Sequence, residues 1–554
     1  MTYLLQYFPQ LSLRPENLPE LRSLILQLAV EGKLTAEWRK ANPDVEPASE
    51  LLARIEAEKA ALVKAKQIKK SKSLPPVRAE EMPFELPEGW VWCHLEETGF
   101  TQTGSTPPKK ESSYFGDYIP FISPAHISNE KMRYPKEGLS EKGLSKGRLI
   151  TNGSLLMVCI GGSIGKCNIT DRDVSCNQQI NTLTPVINNS SYIKIACQAS
   201  YFQNAVVEKS GGSATPIINK RKWESLTIPL PPLPEQQAIV QTVDALLQEL
   251  DQLQQRTETR LQLKVDYATA ALRRLTTAPA VGPAWEALSP HFRTFFDETG
   301  NVQSLRAAIL QLAVQGKLTA QWRKAQPDVE PATELLSRIQ AEKAALVKAK
   351  KIKKEKPLPQ VDAAEVPFGV PEGWVWCRLG EVVELISGHH IVAVDYNDSK
   401  DGIPYLTGPS DFGDLNPVFS KWTEKPKVVA KNEDILITVK GSGVGKINIL
   451  HEDEVAIGRQ LMAIRNLWMP VSYVYLFLKS DYQNIQDQKV GIAIPGISRN
   501  DILNKLFPLP SLSEQHAIVQ AVEELLGLCT ALEDAAGRRD VVLGDWVRAV
   551  VAGG

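Results

Sequence analysis

The chain contains one segment written twice. Leu21 to Lys70 and Leu305 to Lys354 align without a gap at a separation of 284 residues, and 41 of these 50 positions are identical. The likeness then resumes in two further pairs of segments, the first at a separation of 284 residues and the second at 279: Pro87–Cys93 with Pro371–Cys377, and Glu235–Val240 with Glu514–Val519. Such identity indicates duplication of a whole structural unit.

Each copy begins with the pattern of a helical arm. In the first copy, apolar residues from Leu24 to Ala29 recur at helical spacing, and Gly32 is placed to end that helix. A second helix is predicted from Ala48 to about Lys70, with Ser49 as its N-cap. Prolines then predict an extended link into the next part of the copy.

Each copy ends in a long helix. The predicted helices run from Glu235 to about Leu275 and from Ser513 to about Val550. Mostly apolar residues spaced alternately by four and three form a stripe on each helix. On the first they are Ile239, Val243, Leu246, Leu250 and Leu253, then Ala268, Leu272 and Leu275 after an interruption. On the second they are Ile518, Val522, Leu525, Cys529, Leu532, Ala536, Arg539, Leu543, Trp546 and Val550, of which Arg539 alone is charged. Heptad stripes are typical of coiled coils, so we predict that the two helices pair, antiparallel, about a pseudo-two-fold axis.

Between arm and long helix lies an insert that differs between the copies. Short β-rich runs separated by Gly, Pro and Asn predict a mixed α/β (α+β) domain in each. The predicted division is a helical arm (1–84), a first insert (85–233), a long helix (234–277), a linker (278–299), a second arm (300–368), a second insert (369–512) and a second long helix (513–554). Matched arms with unlike inserts predict two binding heads of different specificity.

Composition excludes little. The formal charge is −1, from 63 Lys+Arg and 64 Asp+Glu, so net charge neither indicates nor excludes a nucleic-acid partner. The seven cysteines form no C-x-x-C pair, which favours reduced thiols and predicts no structural metal. The N-terminus has no signal-peptide pattern and no apolar run is long enough for a membrane span, so we expect a cytoplasmic protein without a membrane partner.

Several motifs, in their order and repetition, resemble one known family. The first copy carries Thr103–Pro107, Tyr114–Pro120, Gly165-Lys166, Asn177–Asn181 and the Leu-Pro…Glu-Gln opening Leu230–Gln236. The second copy carries Gly445-Lys446, Gly491–Pro495 and Leu509–Gln515, but departs at Ser387–His390 and Gly458–Gln460. Over residues 16 to 554 the chain resembles the specificity subunits of type I restriction-modification systems.

The resemblance implies a non-catalytic subunit. Each insert would be a target recognition domain that reads one half of a bipartite double-stranded DNA sequence, and the helices would fix the spacing. Two methyltransferase subunits and restriction subunits would be the protein partners. S-adenosylmethionine, ATP and Mg would bind only to those partners, and this chain would hold no cofactor.

Glycine-rich turns and amides supply the candidate DNA contacts. Gly441–Lys446 lacks the first Gly and the final Ser/Thr of a P-loop, so a tight turn that presents lysine to a DNA phosphate is favoured over ATP binding. Forked donors and acceptors can read bases. The DNA-binding candidates are Lys109, Lys110, Lys166, Asn177, Gln178, Gln179, Lys220, Arg221, Lys446, Arg459, Gln460 and Arg499.

Simpler interpretations stand beside these. Each candidate could be an ordinary surface residue, and amides near strand ends often satisfy backbone groups. The lysine runs after each second arm helix could be solvated faces or contact a partner subunit, and the paired tryptophans (Trp90 with Trp92, Trp374 with Trp376) favour core packing over base stacking. Two alternatives to DNA reading remain: a coiled-coil scaffold that joins protein partners, and a self-contained DNA-modifying enzyme.

Overall fold

The computed structural model forms two compact units. It describes residues 18–70, 73–212, 215–413, 416–441, 443–482 and 496–553. Of these residues, the first unit comprises those from 18 to 261 with 540–553, and the second comprises those from 262 to 539. The predicted motif Gly491–Pro495 lies outside the described residues. The predicted division into seven segments stays a prediction.

The arm of the first unit is helical. It contains α1 (Leu18–Val30), α2 (Ala36–Ala41) and α3 (Ala48–Lys64). Gly32 ends α1 as predicted: its φ is +67°, and the backbone N–H groups of Gly32 and Lys33 donate to the carbonyls of Ala29 (3.1 Å) and Leu28 (3.0 Å). This bonding satisfies carbonyl groups that the helix end leaves without a partner.

Two expectations about α3 are wrong. Pro47 occupies the N-cap position and provides no side-chain cap, so Ser49 lies inside the helix. The backbone N–H of Ala48 donates instead to the carbonyl of Gly89 at 2.8 Å, a tertiary contact that substitutes for a serine cap. The helix also ends at Lys64, not near Lys70, and Lys66 has a φ of +58° that no helix continues.

The first insert is a mixed α/β domain, as predicted. Its strands are β1 (Val91–His94), β2 (Gly99–Thr103), β3 (Phe115–Gly116), β4 (Ile119–Ile122), β5 (Gly138–Leu139), β6 (Leu155–Val158), β7 (Cys167–Ile169), β8 (Ser175–Cys176), β9 (Ile180–Pro185) and β10 (Thr227–Leu230). They form sheets in the orders β1-β10, β2-β9-β6-β7 and β3-β5-β4-β8, antiparallel except for the pair β4-β8. Helices accompany them: α4 (Glu141–Leu144), α5 (Ser190–Gln198), α6 (Ser200–Lys209) and α7 (Lys220–Glu224).

The long helix α8 (Leu233–Thr277) confirms the predicted span to within two residues at each end. Its apolar stripe is buried throughout, from Ile239 (0% exposed) to Leu253 (6%) and again from Ala268 to Leu275. The stretch from Ile239 to Leu253 belongs to the core cluster that also contains Leu21 and Ile25 of α1. The arm therefore packs on the beginning of the long helix.

The second unit repeats these elements. After α9 (Val281–Leu288) and α10 (Phe292–Phe295), its arm contains α11 (Thr299–Val314), α12 (Ala320–Ala325) and α13 (Ala332–Lys348). Its strands are β11 (Val375–Arg378), β12 (Val383–Ser387), β13 (Ile403–Leu406), β14 (Trp422–Thr423), β15 (Val429–Lys431), β16 (Ile435–Thr438), β17 (Ile447–Ile449), β18 (Glu454–Ile457), β19 (Leu461–Asn466) and β20 (Leu506–Leu509). The remaining helices are α14 (Leu379–Val382), α15 (Val471–Ser480), α16 (Arg499–Leu503) and α17 (Leu512–Gly553).

The two inserts share a sheet plan despite their divergent sequences. The order β12-β19-β16-β17 repeats β2-β9-β6-β7, and β11-β20 repeats β1-β10. The smaller sheets differ at their edges, yet each contains one parallel pair, β4-β8 and β13-β18. The duplication therefore extends through the whole unit, and the two copies differ in strand order only in the smaller sheet.

The second long helix is also present. On α17 the stripe residues Ile518, Val522, Cys529 and Ala536 are buried, while Leu525 and Leu532 are partly buried. The side chains of Arg539, Leu543, Trp546 and Val550 lie outside the described residues. Antiparallel pairing of the two long helices stays a prediction.

Candidate nucleic-acid interface

Asn177, Gln178 and Gln179 form the turn between β8 and β9. The Asn177 side chain accepts the backbone N–H of Gln179 and donates to the Gln179 side chain, both at 3.1 Å. The side-chain oxygen of Gln178, which is exposed, accepts the hydroxyl of Thr106 at 2.5 Å. Two of the three predicted amides thus hold the turn's shape, and the third faces solvent beside a neighbouring loop.

That neighbouring loop follows β2 and fits closely against the turn. A Cβ placed on Gly104 would lie 2.0 Å from the carbonyl oxygen of Asn177, so only glycine allows this approach. The backbone N–H of Ser105 donates to the carbonyl of Cys176 at 2.9 Å. The loop then carries the exposed side chains of Lys109 and Lys110.

The third loop is the turn from β6 to β7 that contains Lys166. Reciprocal backbone hydrogen bonds of 2.9 Å join Val158 to Gly165 and Lys166, and Gly165 has a φ of +88°. The N–H of Cys159, which follows β6, donates to the carbonyl of Gln179 at 2.8 Å. The predicted tight turn with an exposed lysine is confirmed, and it lies beside the amide turn.

The second unit builds the same surface from different residues. Arg459 and Gln460 form the turn between β18 and β19, and the carbonyl of Gln460 accepts the N–H of Val439 at 2.8 Å, the counterpart of the bond from Cys159 to Gln179. A Cβ on Gly388 would lie 2.1 Å from the carbonyl oxygen of Gly458. The side chains of Arg459 and Lys446 are exposed.

The remaining candidates lie on two short equivalent helices and bond within the chain. Lys220 on α7 pairs with the buried carboxylate of Glu224, and Arg221 donates to the carbonyl of Ser73 at 2.9 Å. Arg499 on α16 pairs with Glu355 and donates to the hydroxyl of Ser387 at 3.1 Å. The role of these cations in DNA contact stays a prediction.

The lysine-rich runs follow the second arm helix in both units. Lys64, Lys66, Lys69 and Lys70 are exposed, as are Lys348, Lys350, Lys351, Lys353 and Lys354. Lys66 and Lys350 share a left-handed backbone, with φ values of +58° and +59°. The charge runs are therefore surface turns of the same shape in each copy.

Sequence reasoning missed a buried junction that holds each insert to its arm and long helix. Glu235, which is 1% exposed, accepts the indole N–H of Trp90 (2.8 Å), the hydroxyl of Thr35 (2.6 Å) and the guanidinium of Arg39. Glu514 does the same with Trp374 (2.7 Å), Thr319 (2.6 Å) and Arg323. Recurrence of all four residues in both copies was the available signal.

Comparison with known proteins decides the family. The family model described as the type I restriction modification DNA specificity domain matches residues 87–263 and 371–538, more than half of the chain. This chain belongs to that family. Both matched stretches contain an insert with its three loops and the first part of the following long helix.

The relatives span the length of the chain. The type I restriction enzyme EcoAI specificity subunit of Escherichia coli is 32% identical, covering 93% of this chain and 90% of the relative. The EcoEI specificity subunit of the same species is 30% identical over the same shares. The fold resembles a chain solved in a study of the complex assembly of the type I R-M system, with 21% identity and a TM-score of 0.51 over 85% of this chain and 98% of the other. The chain is a DNA specificity subunit of the type I restriction-modification class.

No helix within the described ranges is both long and apolar enough to cross a membrane. All seven cysteines are buried and unpaired. Trp90 and Trp374 are buried at 6% and 8% exposure, which agrees with the packing interpretation of these residues.

Proposed function

We propose that each insert reads one half of a split duplex DNA sequence through its three-loop surface, and that the chain itself catalyses no reaction. One observation carries this proposal. The β8-β9 and β18-β19 turns share the same backbone hydrogen bonds but present Asn177-Gln178-Gln179 in one unit and Gly458-Arg459-Gln460 in the other. A common frame with different donors and acceptors is what reading two unlike half-sites requires.

Each three-loop surface combines groups that can contact DNA phosphates with groups that can distinguish bases. Exposed Lys166 and Lys446 supply charge that a phosphate contact can use without sequence preference. Amide and guanidinium groups supply the forked donors that distinguish bases, with arginine suited to guanine and glutamine to adenine. In this division of labour, the lysines set affinity and the turns between strands set specificity.

The partners follow from the same role. We propose that the arms and paired long helices dock two methyltransferase subunits and fix the distance between half-sites, and that restriction subunits join this assembly in the cytoplasm. S-adenosylmethionine, ATP and Mg would bind on those partners. The proposal extends to this chain the restriction-enzyme assembly named for its relatives.

An insert exchange tests the function. Replacing residues 100–230 by those of a relative, with methylation mapped across the host genome, should change one half of the methylated motif and leave the other half and the spacing intact. A motif changed in both halves would contradict the division between the inserts. If the chain with its methyltransferase shows no preference among random duplexes even at low salt, it is a protein scaffold instead.

A further inference from the structure

The second unit contains a cavity of about 580 Å³ beside its arm. Its walls come from the end of α8, the end of α11, the segment before β11, and the end of α15. Phe368, Trp376 and Phe477 form the aromatic part of the lining, and Gln311, Gln315 and Gly369 also line the cavity. A volume of this size lies within the range of protein ligand sites.

The first unit shows what such a space can hold. There Phe84 and Trp92 pack at 4.9 Å between ring centroids, and Tyr201 adds a third ring at 5.3 Å from Phe84 and 5.9 Å from Trp92. The counterparts at 284 residues, Phe368 and Trp376, pack at 5.0 Å with nearly the same angle. Among the described residues of the second unit no third ring packs on this pair; both rings line the cavity, as does Phe477, whose ring packs on Phe507 instead.

The two units differ at the ends of α5 and α15, the equivalent helices that precede Tyr201 and Tyr482. The hydroxyls of Tyr192 and Tyr473 donate to the equivalent carbonyls of Pro229 and Pro508, at 2.6 and 2.7 Å, which sets α5 and α15 in register. In the first unit the chain breaks at Ala199, with ψ of 149°, before the helix that carries Tyr201.

In the second unit the chain does not make this break. Asp481 follows α15 with φ −91° and ψ 3°, and Tyr482, the residue in register with Tyr201, is 42% exposed. The cavity therefore lacks the ring that the first unit places at the corresponding position.

The cavity also offers hydrogen-bond donors and acceptors that a peptide segment can use. In the first unit, the side-chain oxygen of Gln27 accepts the backbone N–H of Tyr201 at 3.3 Å. Its counterpart Gln311 is exposed and lines the cavity. Within the described part of the chain, the buried indole nitrogen of Trp376 and side-chain oxygen of Gln315 have no hydrogen-bond partner. Buried polar atoms usually have a hydrogen-bond partner, and an occupant of the cavity can supply one.

We propose that this cavity is a docking slot for an aromatic side chain, that of a tyrosine, presented by a partner polypeptide. The aromatic walls take the ring, Gln311 takes the backbone N–H, and the Trp376 indole donates to the occupant. The identification of the partner as a subunit of the restriction-modification assembly rests on the proposed function. The existence of the slot does not depend on that function.

The slot can be tested on the full chain labelled with 5-fluorotryptophan. The ¹⁹F resonance of Trp376, assigned with Trp376→Phe, should shift and saturate on titration with N-acetyl-L-tyrosinamide but not with N-acetyl-L-leucinamide. Gly369→Trp should abolish the shift, because a Cβ there meets no atom within 4 Å and the indole can enter the slot. Glu85→Trp is the matched control, since it alters the equivalent position beside the filled site.

Three outcomes of these titrations would overturn the proposal. The first is the absence of a saturable Trp376 shift in a chain whose thermal unfolding midpoint is that of the parent protein. The second is a Trp376 resonance that moves in Tyr482→Ala without any probe while probe binding strengthens, because the occupant would then be the chain's own tyrosine. A free aromatic compound such as p-cresol that binds tighter than N-acetyl-L-tyrosinamide would also contradict a peptide occupant.

The identity of the partner is tested with the intact complex of this chain and its methyltransferase subunits. Gly369→Trp should weaken binding of the methyltransferase subunit at least tenfold, Trp376→Phe about fivefold through one lost hydrogen bond, and Glu85→Trp not at all. Equal affinities for all variants would overturn the assignment to that partner. Duplex DNA binding by the same preparations separates the two proposals, because loss of DNA preference in the parent complex refutes the proposed function and leaves the slot measurement standing.

Discussion

Trp90 donates its indole N–H to the buried carboxylate of Glu235 at 2.8 Å, across 145 residues of sequence. Trp90 immediately precedes the first strand of the insert, and Glu235 lies in the first turn of the long helix. Arg39, from the arm, completes the ion pair. Arm, insert and long helix of each unit therefore meet at one carboxylate, so the base of each recognition domain is held at a defined point on the helix.

Removing the cation of this junction should destabilise the first unit. Arg39→Gln leaves the carboxylate of Glu235, 1% exposed, without its charge partner, and breaking such a buried pair costs about 3 kcal/mol of unfolding free energy. Lys40→Gln removes the same charge from the neighbouring position, where the pair with Glu37 is exposed, and should cost under about 0.5 kcal/mol. Urea unfolding of both variants measures the difference. Equal losses would mean that the junction does not hold the unit.

The sequence predicts the arm, the insert and the long helix, but not the side-chain contacts that join them at this junction. Helix periodicity located α1 and α8, and a glycine at the end of α1 was recognised because its left-handed backbone is a local property. The bond from Thr35 to Glu235 spans 200 residues, and no local pattern encodes it. For the same reason the local pattern favours Ser49 as a cap, whereas the carbonyl of Gly89, distant in sequence, accepts the N–H of Ala48.

The candidate DNA contacts show the same limit. Exposure of Lys166 and Lys446 follows from a local turn, which glycine spacing predicts well. Whether a cation faces solvent or an internal carboxylate depends on tertiary neighbours, as the ion pair of Arg499 with Glu355 shows. The sequence therefore predicted the tight turns and their exposed lysines, while the internal partners of the other candidate cations depend on tertiary contacts.

Gly104 should be required for reading one half-site. Gly104→Ala would force a methyl group to within 2.0 Å of the Asn177 carbonyl and displace the loop from the amide turn. We expect at least a tenfold loss of affinity for targets with an intact first half-site, measured by titration of labelled duplexes with the methyltransferase complex. Gly282→Ala is the control, because its Cβ meets no atom within 4 Å and it lies on α9, outside both inserts. Unchanged binding by Gly104→Ala would separate this loop from DNA.

Substitutions of lysine and of arginine in the three-loop surfaces should change DNA binding in different ways. Lys166→Ala should weaken binding to all sequences alike and reduce the slope of log affinity against log salt by about 1, as expected for one lost phosphate contact. Arg459→Ala should instead relax the preference at one base pair, a change of about 1–3 kcal/mol in discrimination. Binding to a panel of single-base variants at several salt concentrations distinguishes the two. A loss of discrimination with Lys166→Ala would reverse the assignment.

The buried thiols should make the first unit sensitive to alkali. Burial raises the pKa of the Cys159, Cys167 and Cys176 thiols to about 12, whereas an unfolded thiol titrates near about 8.5. The folded state therefore keeps these protons longer, so the stabilisation is fully present below about pH 8.5 and is lost as pH rises toward 12. Each thiol contributes a slope of up to about 1.4 kcal/mol per pH unit.

Urea unfolding over this alkaline range measures the slope. Cys176→Ala should reduce it by the share of one thiol, while Cys529→Ala, in the second unit, should leave the unfolding of the first unchanged. Thiol reagents should label the folded chain slowly and the unfolded chain at once. Rapid labelling of Cys159 in the folded state would show that its burial does not protect it.

Length of the long helix should set the distance between half-sites. Insertion of seven residues near Arg256 adds about 10 Å of helix and leaves the apolar stripe on nearly the same face of the helix. Insertion of four residues adds about 6 Å and rotates the helix after the insertion by about 40°. If the helices pair as predicted, insertions must be made in both α8 and α17 to preserve the contact. The paired seven-residue insertion should shift the preferred spacing by about three base pairs at the axial rise of DNA, and the four-residue insertion should abolish binding. Methylation of a library with variable spacing measures both, and a change in the bases read would contradict the separation of spacing from recognition.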